Sequence, residues 1–244
     1  MKALILAAGR GSRLKPLTDE TPKALLPVGG VPMLERALVR LKEAGVKLFV
    51  VNAHHHARKV VDFCAELSHR HGVPVSVSRE DDLLLDTGGA IKKASALLKG
   101  REPFFVHNAD VLTDIDLRAL IKTHKDSGAL ATLSVRERES DRAYLFDAHG
   151  RFVGHDRGED RITWAKGKVS NAQRLPFDGI HLISPVLLDK ITESGVFSIT
   201  QIYLRLAAAG ADIHAFRSDP WTWHDIGTVE KLAAAEAWAA SRPA

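Results

Sequence analysis

Four charged side chains stand where this sequence can do chemistry: Arg13, Lys23, Asp110 and Asp225. Arg13 closes the run Leu6-Ala7-Ala8-Gly9-Arg10-Gly11-Ser12-Arg13, which follows the apolar segment Ala3-Leu4-Ile5-Leu6. A short buried strand ending in small residues lets the backbone approach a ligand, because no side chain intervenes and glycine tolerates unusual dihedrals. Successive N–H groups in such a turn form an anion-binding nest. Arg13 adds a planar fork of donors and Lys23 a point charge, so the segment reads as a phosphate loop, with Leu6, Ala7, Ala8, Gly9 and Gly11 against the ligand. Asp110 comes in His107-Asn108-Ala109-Asp110, directly after the apolar Phe104-Phe105-Val106. A hard cation such as Mg2+ takes one or two carboxylates and completes its shell with phosphate oxygens, a task suited to Asp110. Asp225, in Trp223-His224-Asp225-Ile226-Gly227-Thr228, reads by itself as a local cap before a helix.

Two familiar phosphate loops are excluded. A dinucleotide turn needs G-x-G-x-x-G opening directly into a helix, whereas Leu14 occupies the third glycine position and Pro16 and Pro22 make the following segment irregular. A Walker A loop needs G-x-x-x-x-G-K-[ST], and neither Gly9 nor Gly11 begins one. The stretch from Leu6 to Val28, with Gly9, Gly11, Arg13, Pro16, Thr18, Thr21-Pro22-Lys23, Leu25 and Pro27-Val28 in order, instead resembles the sugar-1-phosphate nucleotidyltransferases, the NDP-sugar pyrophosphorylases.

That resemblance implies an enzyme whose partners are a nucleoside triphosphate and a sugar-1-phosphate, with Mg2+ as cofactor and Arg13 and Lys23 as catalytic cations. It makes Asp225 the second metal ligand beside Asp110. It places the nucleobase over Asp86-Thr87-Gly88-Gly89-Ala90, giving Thr87 and Gly88 as nucleotide-binding residues with Glu80 preceding them. It places the sugar against Phe177-Asp178-Gly179-Ile180, with Asp178 and Gly179 as contacts. The glutamate-lysine pair that many larger relatives direct at the sugar phosphate has no clear equivalent, leaving Lys166 and Lys168 as substitutes. The short chain and the motifs T-G-G-A, F-x-G-I and H-D-I-G-T resemble compact members that transfer uridylyl to N-acetylmuramate-1-phosphate or guanylyl to mannose- or heptose-1-phosphate. Two other readings stay open. One is a phosphocholine cytidylyltransferase, which needs an aromatic cage to which Trp164, Trp221 and Trp223 are candidates. The other is a non-catalytic sugar-nucleotide-binding regulatory protein, which ought to have lost one of the four charged residues.

The elements that must position these groups alternate. Ala3 to Leu6 reads as a strand, about Pro32 to Ala44 as a helix ended by Gly45, Lys47 to Asn52 as a strand, Ala57 to about His71 as a helix and Val75 to Ser78 as a strand. A helix over about 88–98 leads to strand Phe104–Val106; 115–127 is helical and 129–135 extended. Tyr144–Phe146 and Phe152-Val153 form a hairpin across Asp147-Ala148-His149-Gly150. Residues 154–176 are polar, basic and poorly periodic, and read as a loop or lid over the sugar. A strand over 177–183, helices after Pro185 and over 199–209, a strand over 213–216 and a helix from about 228 to 240 complete the chain. The expected fold is α/β: a Rossmann-like mixed, mainly parallel sheet flanked by helices, of the nucleotide-diphospho-sugar transferase type, with 1–244 as a single domain.

Composition bounds the rest. Apolar residues make up 45% of the 244 and charged ones 26%, an ordinary globular balance. No apolar run nears the roughly 20 residues of a membrane span. The net charge of +4 is scattered among acids without interleaved aromatics, so nucleic acid is not an expected partner. A single cysteine, Cys64, fits a reducing cytoplasm and a place in the core. His54-His55-His56 project in different directions and lack zinc-site spacing, although Asn52 and His54 are placed to touch a ligand. The oligomeric state is not written in the sequence.

Overall fold

The computed structural model describes residues 1–159 and 161–241. In chain order the strands are β1 (Lys2–Leu6), β2 (Pro27–Val28), β3 (Val31–Pro32), β4 (Leu48–Ala53), β5 (Val75–Arg79), β6 (Phe104–Asn108), β7 (Val111–Thr113), β8 (Ala131–Val135), β9 (Ala143–Phe146), β10 (Phe152–Asp156), β11 (Ile162–Trp164), β12 (Gln173–Leu175), β13 (Phe177–Ile183), β14 (Ile213–Arg217) and β15 (Trp223–Asp225). The α-helices are α1 (Leu17–Glu20), α2 (Met33–Glu43), α3 (Ala57–His71), α4 (Asp86–Lys93), α5 (Ser95–Leu98), α6 (Leu117–Ser127), α7 (Ile199–Ala208) and α8 (Val229–Ala240).

Seven strands form the central sheet in the order β14-β8-β13-β6-β1-β4-β5. All neighbours pair in parallel except β13, which runs antiparallel to both β6 and β8. Strands covered on both faces need side chains that are apolar in both directions, and Ala3, Leu4, Ile5, Phe104, Phe105 and Val106 are all without solvent exposure. The helix ends follow local chemistry. Asp116 accepts N–H bonds from Arg118 and Ala119 to cap α6, Thr228 accepts one from Lys231 to cap α8, and Gly72, at φ 61°, ends α3. Among the described residues no helix is long and apolar enough to cross a membrane.

Register decides where the chemistry collects. Leu6 at the end of β1 lies opposite Asn52 of β4 on one side and Asn108 of β6 on the other. The phosphate loop, Asn52 and the segment leading to Asp110 therefore leave the sheet at one edge, the carboxyl end at which open α/β sheets bind ligands.

Two expectations need correction. The helix over 88–98 is two helices, α4 and α5, meeting at Ala94. The segment 154–176 is not a loop throughout: it completes β10 and supplies β11 and β12, which with β9 form a four-stranded antiparallel sheet ordered β11-β10-β9-β12. Residue 160 of that segment lies outside the described residues. Its strand period was hidden because two of the strands are only three residues long and a register shift between Phe152 and Gly154 breaks the alternation. Charged residues on these strands pair across the sheet, Arg174 Nε donating to Asp156 Oδ2 at 2.7 Å, and so look like loop residues in sequence.

Asp178 is corrected as well. Its carboxylate is fully buried and accepts from Ser134 Oγ at 2.8 Å, from Arg136 Nε at 3.1 Å and from Ser218 Oγ, while its carbonyl accepts from Trp223 Nε1 at 2.9 Å. Arg136 in turn holds the carbonyls of Ser218 and Trp221. The group joins β8, β13 and the segment leading to β15, and leaves no carboxylate oxygen for a sugar. Asp178→Ala should cost about 3 kcal/mol or more of unfolding free energy, because it strands a buried guanidinium. Urea denaturation checks this, and a loss under about 1 kcal/mol would contradict it.

Candidate active site

The backbone of the phosphate loop is held from behind. Ala7 N–H donates to Asn52 Oδ1 at 2.6 Å, Asn52 Nδ2 donates to Glu80 Oε1 at 2.8 Å, and Glu80 Oε2 accepts from Leu85 N at 2.9 Å. Glu80 is 1% exposed, so it does not reach a nucleobase; it orients Asn52 and ties the loop to the segment entering α4. His54 is turned away in the same way, its Nδ1 against the Glu80 carbonyl at 2.5 Å.

The loop's two glycines differ in purpose. Gly11 sits at φ 62°, and a Cβ there would meet Thr18 Cγ2 at 2.7 Å, while Thr18 Oγ1 donates to the Gly11 carbonyl at 2.8 Å. Gly11 is thus required by the fold of the loop itself. A Cβ on Gly9 would meet no protein atom within 4 Å, so the space this residue leaves open faces outward to a ligand.

That space is a cavity of about 440 Å³ whose lining includes Leu6, Ala7, Ala8, Gly9, Lys23, Asn52, Asn108 and Asp110. Leu84, Thr87 and Val196 form part of its wall. The Thr87 hydroxyl accepts from Ile199 N at 3.0 Å, fixing α4 against the start of α7. Gly88 and Gly179 leave no room for a side chain. A Cβ on Gly88 would strike the Phe197 ring at 2.5 Å, and one on Gly179, at φ 81°, would strike Asn108 Nδ2 at 2.6 Å. Gly179 therefore makes room for an asparagine that does line the cavity. Asn52 was a candidate in the sequence, whereas Asn108, Leu84 and Val196 carried little or no sequence signal, since only register and loop packing bring them to the cavity.

The carboxylates meet through a small two-stranded sheet. β15 pairs antiparallel with β7, setting Asp225 opposite Val111, and Ile226 N donates to the Asp110 carbonyl at 3.1 Å. Residues 110 and 225, far apart in sequence, become backbone neighbours. Lys23 Nζ pairs with Asp110 Oδ2, and Asp225 accepts from Gly227 N at 2.8 Å and from Lys231 Nζ at 2.5 Å. Burial pushes the Asp225 pKa up, but Lys231, the Gly227 amide and Lys23 together hold it below the ordinary carboxylate value. Asp225 is therefore ionised at neutral pH.

Arg13 stands beside this pair. A Cβ on Gly227 would lie 3.2 Å from Arg13 Nη2 and 2.6 Å from Asp225 Oδ1, so a side chain there would crowd both groups. The Arg13 side chain is exposed and has no hydrogen bond or ion pair among the described residues.

The histidines give no proton-transfer group here. Burial pushes His107 down to about 4, and its ring is bound to the Asn108 carbonyl. Cys64 is buried, its thiol pushed up to about 12, and belongs to the core as expected. Two of the candidates for an aromatic cage are already engaged: Trp221 stacks on Phe216, and the face of Trp223 is covered by Arg138 at 4.5 Å.

A mainly parallel sheet, a small-residue loop at its carboxyl edge and two carboxylates with cations fit a nucleotidyl-transfer enzyme. The model of the nucleotidyl transferase family matches residues 2–242, and the chain belongs to that family, as a sugar-1-phosphate nucleotidyltransferase. It is 34% identical, over 98% of each chain, to an N-acetylmuramate alpha-1-phosphate uridylyltransferase of Neisseria meningitidis. Longer relatives include a UTP–glucose-1-phosphate uridylyltransferase of Synechocystis, 30% identical over 94% of this chain, and a mannose-1-phosphate guanyltransferase of Yarrowia lipolytica, 30% identical over 93%; the chain spans 61% of each. Among solved structures, the fold is shared with a UDP-glucose pyrophosphorylase complexed with UDP-glucose, at TM-score 0.78 and 21% identity over 99% of both chains. HddC from Yersinia pseudotuberculosis complexed with GMP-PN gives TM-score 0.76 and 22% identity over 97% of this chain and 98% of that one.

Asp110 and Asp225 suit a divalent cation, which the family generally uses. Both are carboxylates on adjoining backbone segments, Asp110 partly exposed to the cavity and Asp225 kept ionised, and each now spends an oxygen on a lysine that a metal would release.

Proposed function

We propose that this enzyme transfers a uridylyl group from UTP to the 1-phosphate of an N-acetyl sugar of the N-acetylmuramate type, releasing pyrophosphate, with Mg2+ held by Asp110 and Asp225. The observation that carries the reading is the cavity itself, in which the open face of Gly9, Lys23 and Asp110 share one wall. The end-to-end match to the Neisseria enzyme supports the choice of nucleotide and sugar.

A phosphomonoester has its second pKa near 6, so a sugar-1-phosphate reaches the site already largely deprotonated and needs no general base. The difficulty is bringing a dianion to the α-phosphorus of a polyanion. Mg2+ supplies, when bound, charge neutralisation and a common template for the two phosphates. Arg13, without a hydrogen bond or ion pair among the described residues, holds the departing pyrophosphate. Lys23, near Asp110, takes the negative charge that builds at the α-phosphate. The backbone of Ala7 and Ala8, fixed through Asn52 and Glu80, keeps the triphosphate in line with the attacking oxygen, so catalysis is positioning plus electrostatic stabilisation.

The test is pyrophosphate release across the four nucleoside triphosphates and a set of sugar-1-phosphates and phosphocholine. UTP with N-acetylmuramate-1-phosphate should give the highest kcat/KM, and EDTA should abolish it. GTP with mannose-1-phosphate as the best pair would overturn the substrate assignment.

A further inference from the structure

Arg138 has no part in the mechanism above. Its guanidinium lies over the Trp223 ring, Nη2 donates to the Phe177 carbonyl at 3.1 Å, and Nη1 makes only a long 3.5 Å contact to the Glu139 carbonyl. Nε is shut away from solvent without any hydrogen-bond partner. The nearby acids are already engaged, Asp178 by Arg136 and Asp225 by Lys231. A desolvated guanidinium N–H without an acceptor is costly to leave unmade.

Beside it opens a recess of about 200 Å³, lined by Arg138, Arg142, Tyr144, His155 and Phe177 together with Ser140 and Ala143. The lining holds two guanidinium groups and an imidazole and no carboxylate. Tyr144 spends its hydroxyl on Thr200, and Arg142 is exposed with no side-chain hydrogen bond or ion pair among the described residues. Asp156, the acid next to His155, is taken by Arg174 and the Gly158 amide.

Two elements connect the recess to the transfer site. Trp223 and Asp225, two apart on β15, share a face. Phe177 begins the strand whose Gly179 packs on the cavity residue Asn108. None of the loop residues from Leu6 to Lys23 lines it.

We propose that this recess selects an acidic sugar: Arg138, with Arg142, binds a carboxylate carried by the sugar ring of the acceptor. The inference rests on the reading of the acceptor as a sugar-1-phosphate and names the feature by which the enzyme would tell N-acetylmuramate from neutral N-acetylglucosamine. A carboxylate brings the bidentate acceptor geometry that a guanidinium fork matches, where a neutral hydroxyl leaves it half-satisfied.

The experiment measures kcat/KM for N-acetylmuramate-1-phosphate and N-acetylglucosamine-1-phosphate, each with all four triphosphates, in the wild type and in Arg138→Gln, Arg138→Lys and Arg142→Gln. The wild type should favour the acidic sugar by about 100-fold. Arg138→Gln should reduce that ratio to a few-fold, Arg138→Lys should retain part of it, and Arg142→Gln, an exposed position that the fold tolerates, should lower it by about tenfold even where Arg138→Gln yields no folded protein. Equal kcat/KM for the two sugars in the wild type, or an equal loss for both sugars in the arginine variants, overturns the inference; the second result would assign Arg138 to the phosphate common to both. A preference for the acidic sugar expressed with a triphosphate other than UTP upholds the inference and sinks the uridylyl assignment.

Discussion

Asp225→Asn, and separately Asp110→Asn, should lower kcat by about 100-fold or more, equivalent to about 2.7 kcal/mol of lost transition-state stabilisation. The amide keeps the shape of each side chain and removes the charge that would hold Mg2+. Stability should change little in comparison. The Asp225 partner Lys231 is 52% exposed, so that ion pair contributes little to folding, and the Gly227 amide can still donate to an asparagine oxygen. Loss of the carboxylate should also raise the Mg2+ concentration needed for half-maximal rate. Retention of more than about a tenth of activity by both variants, a loss below about 1.4 kcal/mol, would remove the pair from the metal site. The sign of the pH effect follows from the lowered Asp225 pKa: the carboxylate keeps its charge as pH falls through the ordinary carboxylate range, so protonation of Asp225 should not limit the rate between pH 6 and 8.

Arg13→Ala should reduce kcat/KM for the triphosphate by about 100-fold while changing unfolding free energy by no more than about 0.5 kcal/mol. The asymmetry is the point of the experiment. Arg13 is exposed and makes no ion pair among the described residues, so it has little native-state energy to lose. Arg13→Lys should recover only part of the rate, since a point charge cannot replace a planar fork on the leaving pyrophosphate. A large fall in melting temperature with near-normal turnover would make Arg13 a structural residue.

The sequence by itself determined the alternation of strands and helices, and it named the candidate phosphate loop and the four charged residues. Each of these is a local fact: Gly11 is set by a positive φ, the strands by short apolar runs, and helix ends by Asp116, Thr228 and Gly72. What only the tertiary structure decided is which polar residue faces the cavity and which is buried as a pin. Glu80 and Asp178 carry the chemistry of ligand contacts, but strand register turns the first toward Asn52 and Leu85 and the second toward Ser134, Arg136 and Ser218. Asn108, which lines the cavity, and Arg138, which stands on Trp223, carry no such sign, because their neighbours arrive from strands distant in the chain. Beyond the hairpin of β9 and β10, strands β11 and β12 escaped for the related reason that three-residue strands with paired charges have no period to read, and only cross-strand hydrogen bonding reveals them. Residue type and spacing record what a group can do; the long-range packing of the sheet decides whether a ligand can reach it.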